Sequence, residues 1–357
     1  MKAVALERVE KTFADGTRAV AGIDLAIHEG ELVVLLGPSG CGKTTTLRMI
    51  AGLETPSAGR IRLGADDVTA SKPSERDVGF VFQFYALYPH LTVRENVAFP
   101  LACAGMGGRE RRVRVDELAA RLGITELLER TPRELSGGDQ QRVALARAMV
   151  RRPSVWLMDE PLGTLDADLR LDLCGFLRAQ QLAERVTTVY VTHDQEEAMR
   201  LADRVVVMAR GTILQADSPA RVYDEPADLF VARFVGSPGM NLVTGEVREA
   251  PAGRMFVNGG PGAVPLALPD RAVRSGPAVL GFRPEGLTLD PRSSLHGVVR
   301  TDEFLGASRC LHVDSPLGRL VARVAPEAPA SIGDEVALAI DPAAVRLFDP
   351  ATEARLA

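Results

Sequence analysis

The chain has 357 residues, 46% hydrophobic and 25% charged, with a formal net charge of -5. That composition fits a globular protein long enough for two domains with their own cores, and it offers no broadly basic surface for nucleic acid. No apolar run approaches the ~18 residues that cross a bilayer, and the opening "MKAVALERVEKTF" has no apolar signal core, so any membrane role is expected to come through a partner.

Residues 1–30 alternate like strands around "FADGTRAV", where Asp15-Gly16 is a hairpin signal. The apolar run "LVVLLG" reads as a buried parallel strand. It leads into "GPSGCGKT", a full match to the phosphate-loop pattern G-x-x-x-x-G-K-[ST] with a strand before it and a helix after it. The plain alternative is a glycine turn before a helix. In the phosphate-loop reading, backbone N–H groups surround phosphate oxygens, Lys43 reaches the outer phosphates and the Thr44 hydroxyl ligates magnesium. Only Lys2, Lys11, Lys43 and Lys72 are lysine among the 42 basic residues, so the ammonium at 43 stands out in an arginine-rich chain. The four cysteines, Cys41, Cys103, Cys174 and Cys310, lack metal or disulfide spacing, which suits a reducing cytosol.

From about 90 to 150 helical periodicity takes over, with Val115, Leu118 and Leu122 on one face. "PRELSGGDQQRVALARAM" then offers a hydroxyl and two glycines at a second helix start able to hold an anion. If Ser136 is its N-cap, Asp139 has capping-box spacing. Two further apolar runs, "VWLM" and "TTVYVT", read as buried strands that end in polar clusters. The first delivers Asp159, which would hold magnesium, and Glu160, a candidate general base; an Asp-Glu pair there also serves simply as a helix cap. The second delivers His193, which joins Gln83 at the end of "VGFVFQ" in the same candidate set. After "FVARFVGSPGMN" come short segments separated by Gly and Pro, "AVLGFR", "RCLHVD", "RLVARV" and "EVALAI", which predict a small all-β domain.

Taken together, these motifs resemble the ATPase subunit of an ATP-binding cassette (ABC) transporter over essentially the whole chain. Gly37, Pro38, Ser39, Gly40, Cys41, Gly42, Lys43, Thr44 and Thr45 resemble the Walker A motif, and 155–160 resembles Walker B. Gln83 matches the Q-loop and His193 the switch histidine. Leu135, Ser136, Gly137, Gly138 and Asp139 resemble the signature, and Gly163, Thr164, Leu165 and Asp166 the D-loop. Phe13 occupies the place of the aromatic that stacks on adenine, although it also suits a hairpin core.

The resemblance implies an α/β P-loop NTPase with an antiparallel β subdomain and a helical subdomain over 1–235, followed by an oligomer-binding-fold (TOBE) domain over 236–357. It implies ATP and Mg2+ as cofactors, with Glu160, His193 and Gln83 catalytic and Thr44, Gln83 and Asp159 at the metal. Two ATPase subunits pack head to tail in this family, so each signature helix caps the partner's ATP, which accounts for two phosphate-holding helix starts. Two permease subunits, reached through Gln83 and "FYALYPHLTVRENVAF", and indirectly a solute-binding protein complete the expected partners, with the chain peripheral on the cytoplasmic face of the membrane. The tail resembles that of carbohydrate importers. Glycerol-3-phosphate, polyamine, iron and phosphonate importers stay open, as does a soluble cassette ATPase of DNA repair or translation. Two positions depart from the family pattern, Asp139 where Gln is usual and Gly163 where Ser is usual; they bear on the rate and tightness of dimer closure and leave a non-hydrolysing subunit as an alternative.

Overall fold

A computed structural model describes the chain except Thr164, Ala252, residues 259–265 and 269–274, and Ala357. It divides into two compact units, Met1–Pro219 and Ala220–Ala357. Among the described residues no helix is long and apolar enough to cross a membrane.

In the first unit, β1 (Val4–Thr12) and β2 (Arg18–Ile27) form the hairpin expected around Asp15-Gly16. With β4 (Ala58–Leu63) and β5 (Asp66–Asp67) they make an antiparallel sheet in the order β2-β1-β4-β5. The strands β3 (Leu32–Leu36), β6 (Val78–Val81), β7 (Val155–Asp159), β8 (Thr187–Thr192), β9 (Arg204–Ala209) and β10 (Thr212–Asp217) form a second sheet in the order β10-β9-β3-β8-β7-β6. All its pairings are parallel except β9 with β10.

The three apolar runs are its central strands, buried at every residue. Side chains alternate across a strand, and Val33, Leu35, Val155, Leu157, Val189 and Val191 share one core with Leu47 and Ile50 of α1 (Lys43–Ala51) and with the first sheet. Burying both faces of this sheet leaves polar chemistry to the strand ends, the place where parallel sheets hold ligands.

The helices α2 (Val93–Cys103), α3 (Gly108–Leu122) and α4 (Gly137–Met149) lie between β6 and β7 in sequence. The expected face of α3, Val115, Leu118 and Leu122, is buried. Two more helices, α5 (Ala167–Glu184) and α6 (Gln195–Leu201), follow β7 and β8. A further helix, α7 (Pro219–Asp224), begins at the division between the units.

The second unit has α8 (Leu229–Phe234) and two antiparallel five-stranded sheets. One contains β11 (Asn241–Ala250), β12 (Gly253–Val257), β13 (Leu266–Ala267), β14 (Gly276–Phe282) and β20 (Arg346–Phe348). The other contains β15 (Leu287–Leu289), β16 (Leu295–Phe304), β17 (Arg309–Ser315), β18 (Gly318–Val324) and β19 (Glu335–Ile340). Val243, Leu280, Leu311, Val313 and Leu338 belong to one apolar cluster drawn from both sheets. The four segments legible in the sequence are β14, β17, β18 and β19.

Candidate functional site

The loop between β3 and α1 is held open by its glycines. Gly42 has φ 106, and a Cβ there would lie 2.4 Å from the Ala19 carbonyl oxygen; Gly40 has φ 77 and nothing within 4 Å of its Cβ position, so that side of the loop is free for a ligand. Lys43 is 5% exposed, and its ammonium donates to the carbonyls of Gly37 at 2.7 Å and Pro38 at 3.0 Å. Its neighbours are thus neutral acceptors and Cys41 Sγ at 3.8 Å. A buried cation whose own contacts are neutral fits an anionic ligand, which would supply the missing charge.

One turn on, the Thr44 hydroxyl donates to Asp159 Oδ1 at 2.8 Å. Asp159 is 2% exposed at the end of β7, and burial pushes its carboxyl up from the usual range. A buried carboxylate beside a hydroxyl, both hard oxygen donors, fits a magnesium ion.

The next residue, Glu160, adopts φ 45, a conformation that costs a non-glycine residue energy and that clusters at functional sites. Its N–H donates to the Val191 carbonyl at 2.9 Å, tying it to β8. Its Oε2 accepts from Gln83 Nε2 at 3.0 Å and lies 3.2 Å from His193 Nδ1. Three strand ends thereby bring Gln83, Glu160 and His193 to one oxygen. The Gln83 amide is on Glu160 rather than on the Thr44–Asp159 pair. Phe13 is exposed in the β1–β2 turn, with the Lys11 ammonium 5.2 Å from its ring centroid. A hairpin-core role for it is therefore not what the structure has.

The signature residues keep to their own surroundings. Ser136 is the N-cap of α4, its Oγ accepting from the Asp139 N–H at 3.2 Å, while the Ser136 hydroxyl donates to Asp139 Oδ2 at 2.7 Å. The carboxylate at 139 thus engages the serine side chain. Full capping boxes form at Thr92–Glu95 and Thr131–Glu134, where the longer Glu reaches back to the cap's backbone; Asp is one methylene shorter. Leu135 is buried, Gly137 and Ser136 are exposed, and a Cβ on Gly138 would meet Leu169 at 2.3 Å.

In segment 163–166, the Gly163 N–H donates to the Glu160 carbonyl at 3.3 Å, Leu165 is buried, and Asp166 caps α5 through Leu169 N at 3.0 Å. Thr164 lies outside the described residues.

Two positioning groups were not legible in the sequence. Arg147 of α4 donates to the carbonyls of Ala86 at 2.7 Å and Tyr85 at 3.1 Å and stands over the Tyr88 ring at 5.6 Å. Buried Asn96 donates to the Tyr88, Leu91 and Thr92 carbonyls and accepts from Tyr88 N at 2.8 Å. In a chain this rich in arginine, Arg147 has no distinguishing local pattern. The stretch they hold is largely not core: Phe84 is 76% exposed. Beside it a groove of about 540 Å³ is lined by Leu91, Arg94, Phe99, Arg111 and Val115, among others.

A family model described as ABC transporter matches residues 20–163, and one described as TOBE domain matches 280–348. The sn-glycerol-3-phosphate import ATP-binding protein of Cereibacter sphaeroides is 45% identical over 365 residues, covering 100% of both chains. The trehalose/maltose import ATP-binding protein of Thermococcus litoralis is also 45% identical, covering 99% of each. A solved ATP-binding cassette, dimeric in a post-hydrolysis state with ADP and Pi, is 34% identical with a TM-score of 0.57, covering 60% of this chain and 98% of its own. By its phosphate loop, its strand-end carboxylates and these full-length relatives, the chain belongs to the ABC transporter family.

Proposed function

We propose that the chain is the ATP-hydrolysing subunit of an importer, coupling nucleotide turnover in a head-to-tail pair of ATPase subunits to solute uptake through separate permeases. The observation that carries this reading is the convergence of Gln83 and His193 on one Glu160 oxygen beside the Thr44–Asp159 pair.

The 37–45 loop and Lys43 would hold the phosphates, Phe13 would stack on adenine, and Thr44 and Asp159, joined by Gln83, would hold magnesium. The bound magnesium neutralises phosphate charge. Glu160 accepts the proton of the attacking water; Gln83 and His193 orient its carboxylate, and His193 also faces the terminal phosphate. Ser136 and the backbone of 137–139 serve the partner subunit's nucleotide, and Gly163, Leu165 and Asp166 belong to the same interface. Closure on ATP and opening after hydrolysis then follow from contacts present in one state only.

The exposed aromatics after Gln83 and the neighbouring groove are the surface offered to permeases on the cytoplasmic face of the membrane. Relatives named for sn-glycerol-3-phosphate and for trehalose/maltose import support a sugar or a polyol phosphate as the solute.

Phosphate release by the purified chain tests the reading. It should require magnesium and be lost in Lys43→Ala; undiminished turnover in that variant would remove the phosphate loop from the account. Deleting the chain from its cells should abolish uptake of one of these solutes, and unimpaired uptake of all of them would count against the importer role.

A further inference from the structure

We propose that Arg170 is a positioning residue that keeps His193 and Leu165 in register with Glu160, a reading that rests on the hydrolytic roles assigned above. Arg170 stands in α5, four residues after the N-cap Asp166. Its guanidinium donates in two directions, to the Leu165 carbonyl at 2.9 Å and to Asp194 Oδ2 at 2.9 Å. Asp194 directly follows His193. Its other oxygen caps α6, accepting from Glu196 N at 2.8 Å and Glu197 N at 3.2 Å, and its own N–H donates to Thr192 Oγ1 at 2.9 Å.

These contacts close a ring. On one side, the Gly163 N–H meets the Glu160 carbonyl and the Leu165 N–H meets the carbonyl of Leu162, two residues after Glu160. On the other, His193 Nδ1 meets Glu160 Oε2 and the chain runs to Asp194. Arg170 joins the two arms. A displacement of Leu165 is thus passed to the loop carrying His193 through one planar fork rather than through the apolar core. Arginine suits this place because its donors diverge at fixed angles, whereas a lysine ammonium is a single charge on a flexible stem and holds one such acceptor well. A helix tie alone would require only the Asp194 cap, which stands without Arg170.

The test compares Arg170→Lys, Asp194→Asn and their double variant in the full chain, with Glu160→Gln as reference. Asn is as good an N-cap as Asp, so Asp194→Asn removes the Arg170–Asp194 pair while α6 keeps its start and the longer Arg170 Nε–Glu197 Oε1 pair at 3.7 Å stays. Each single variant should lower kcat on the order of tenfold, as small misplacements of catalytic groups do, while MgATP affinity, read with a fluorescent nucleotide, stays within about twofold. The double variant should be no slower than the slower single, because losing either contact breaks the same link between the two arms. Parental kcat in Arg170→Lys beside an inactive Glu160→Gln overturns the proposal and leaves the functional reading standing. So do losses that multiply in the double variant, or nucleotide affinity that falls in step with kcat. Parental turnover in Glu160→Gln itself overturns the functional reading and the proposal with it.

Discussion

The acid at 139 sets two effects against each other, and replacing it with glutamine separates them. Asp139 Oδ2 takes the Ser136 hydroxyl proton at 2.7 Å, so that proton is unavailable to an incoming anion until the contact opens. A hydrogen bond to a charged partner is worth about 1.5–3 kcal/mol net. With the Asp139 side chain 29% exposed, solvent screening places this one at about 1–1.5 kcal/mol. Removing it frees the hydroxyl by roughly five- to tenfold and also removes a negative charge from a helix start that would face phosphate. Against this, α4 loses an acid in its first turn, about 0.3–1 kcal/mol, while the Ser136 cap on the N–H of residue 139 is kept. With the lost hydrogen bond included, about 1.3–2.5 kcal/mol in all, Asp139→Gln should therefore melt about 3–10 °C lower and show a several-fold lower KM for ATP or a several-fold faster turnover. The gain should shrink as salt rises, since its electrostatic part is screened. Phosphate release against ATP concentration at low and high salt, with a thermal melt, measures both. Equal or slower turnover at every salt concentration would refute the reasoning and reduce Asp139 to a capping residue.

Burial, opposed by hydrogen bonds from Thr192 and Tyr190, holds the Glu197 carboxyl above its ordinary value of 4.5. An acid raised in the fold gives stability that is present below its unfolded pKa and lost as pH rises through the folded one, so Glu197→Gln should melt higher than the parent at pH 7 and the gap should close toward pH 4.5; a gap that widens on acidification contradicts the sign. Arg147→Lys keeps a charge but can serve the Tyr85 and Ala86 carbonyls only one at a time, and should cost about 1–2 kcal/mol. Chymotrypsin should then cut faster at 84–88, and an unchanged cutting rate would show that Asn96 and packing hold this stretch alone.

Much of the site is legible in the sequence because its groups sit at the ends of strands that advertise themselves. The runs at β3, β7 and β8 are buried on both faces and hence apolar throughout, so the polar residues that follow them stand out. The parallel partners β6 and β9 announce themselves less, β6 through only four residues, Val78–Val81. Spacing also offered Ser136 as an N-cap, which it is, but not that the shorter acid at 139 would turn to its hydroxyl. What sequence order cannot show is the closing of distant segments on one another: Gln83 reaches Glu160 across 77 positions and Arg147 reaches Ala86 across 61. Such contacts depend on how the helices between β6 and β7 pack, and no local pattern encodes them.

The central claim, that Glu160 is the base of a nucleotide site completed by a second subunit, is tested most directly by Glu160→Gln. The amide keeps the size of the side chain and can still accept from Gln83, but it cannot take a proton. In MgATP the purified variant should release phosphate at least about 100-fold more slowly than the parent and accumulate as a dimer by light scattering, returning to monomer when nucleotide is removed. Turnover within a few-fold of the parent, or a variant that stays monomeric in saturating MgATP, would contradict the account.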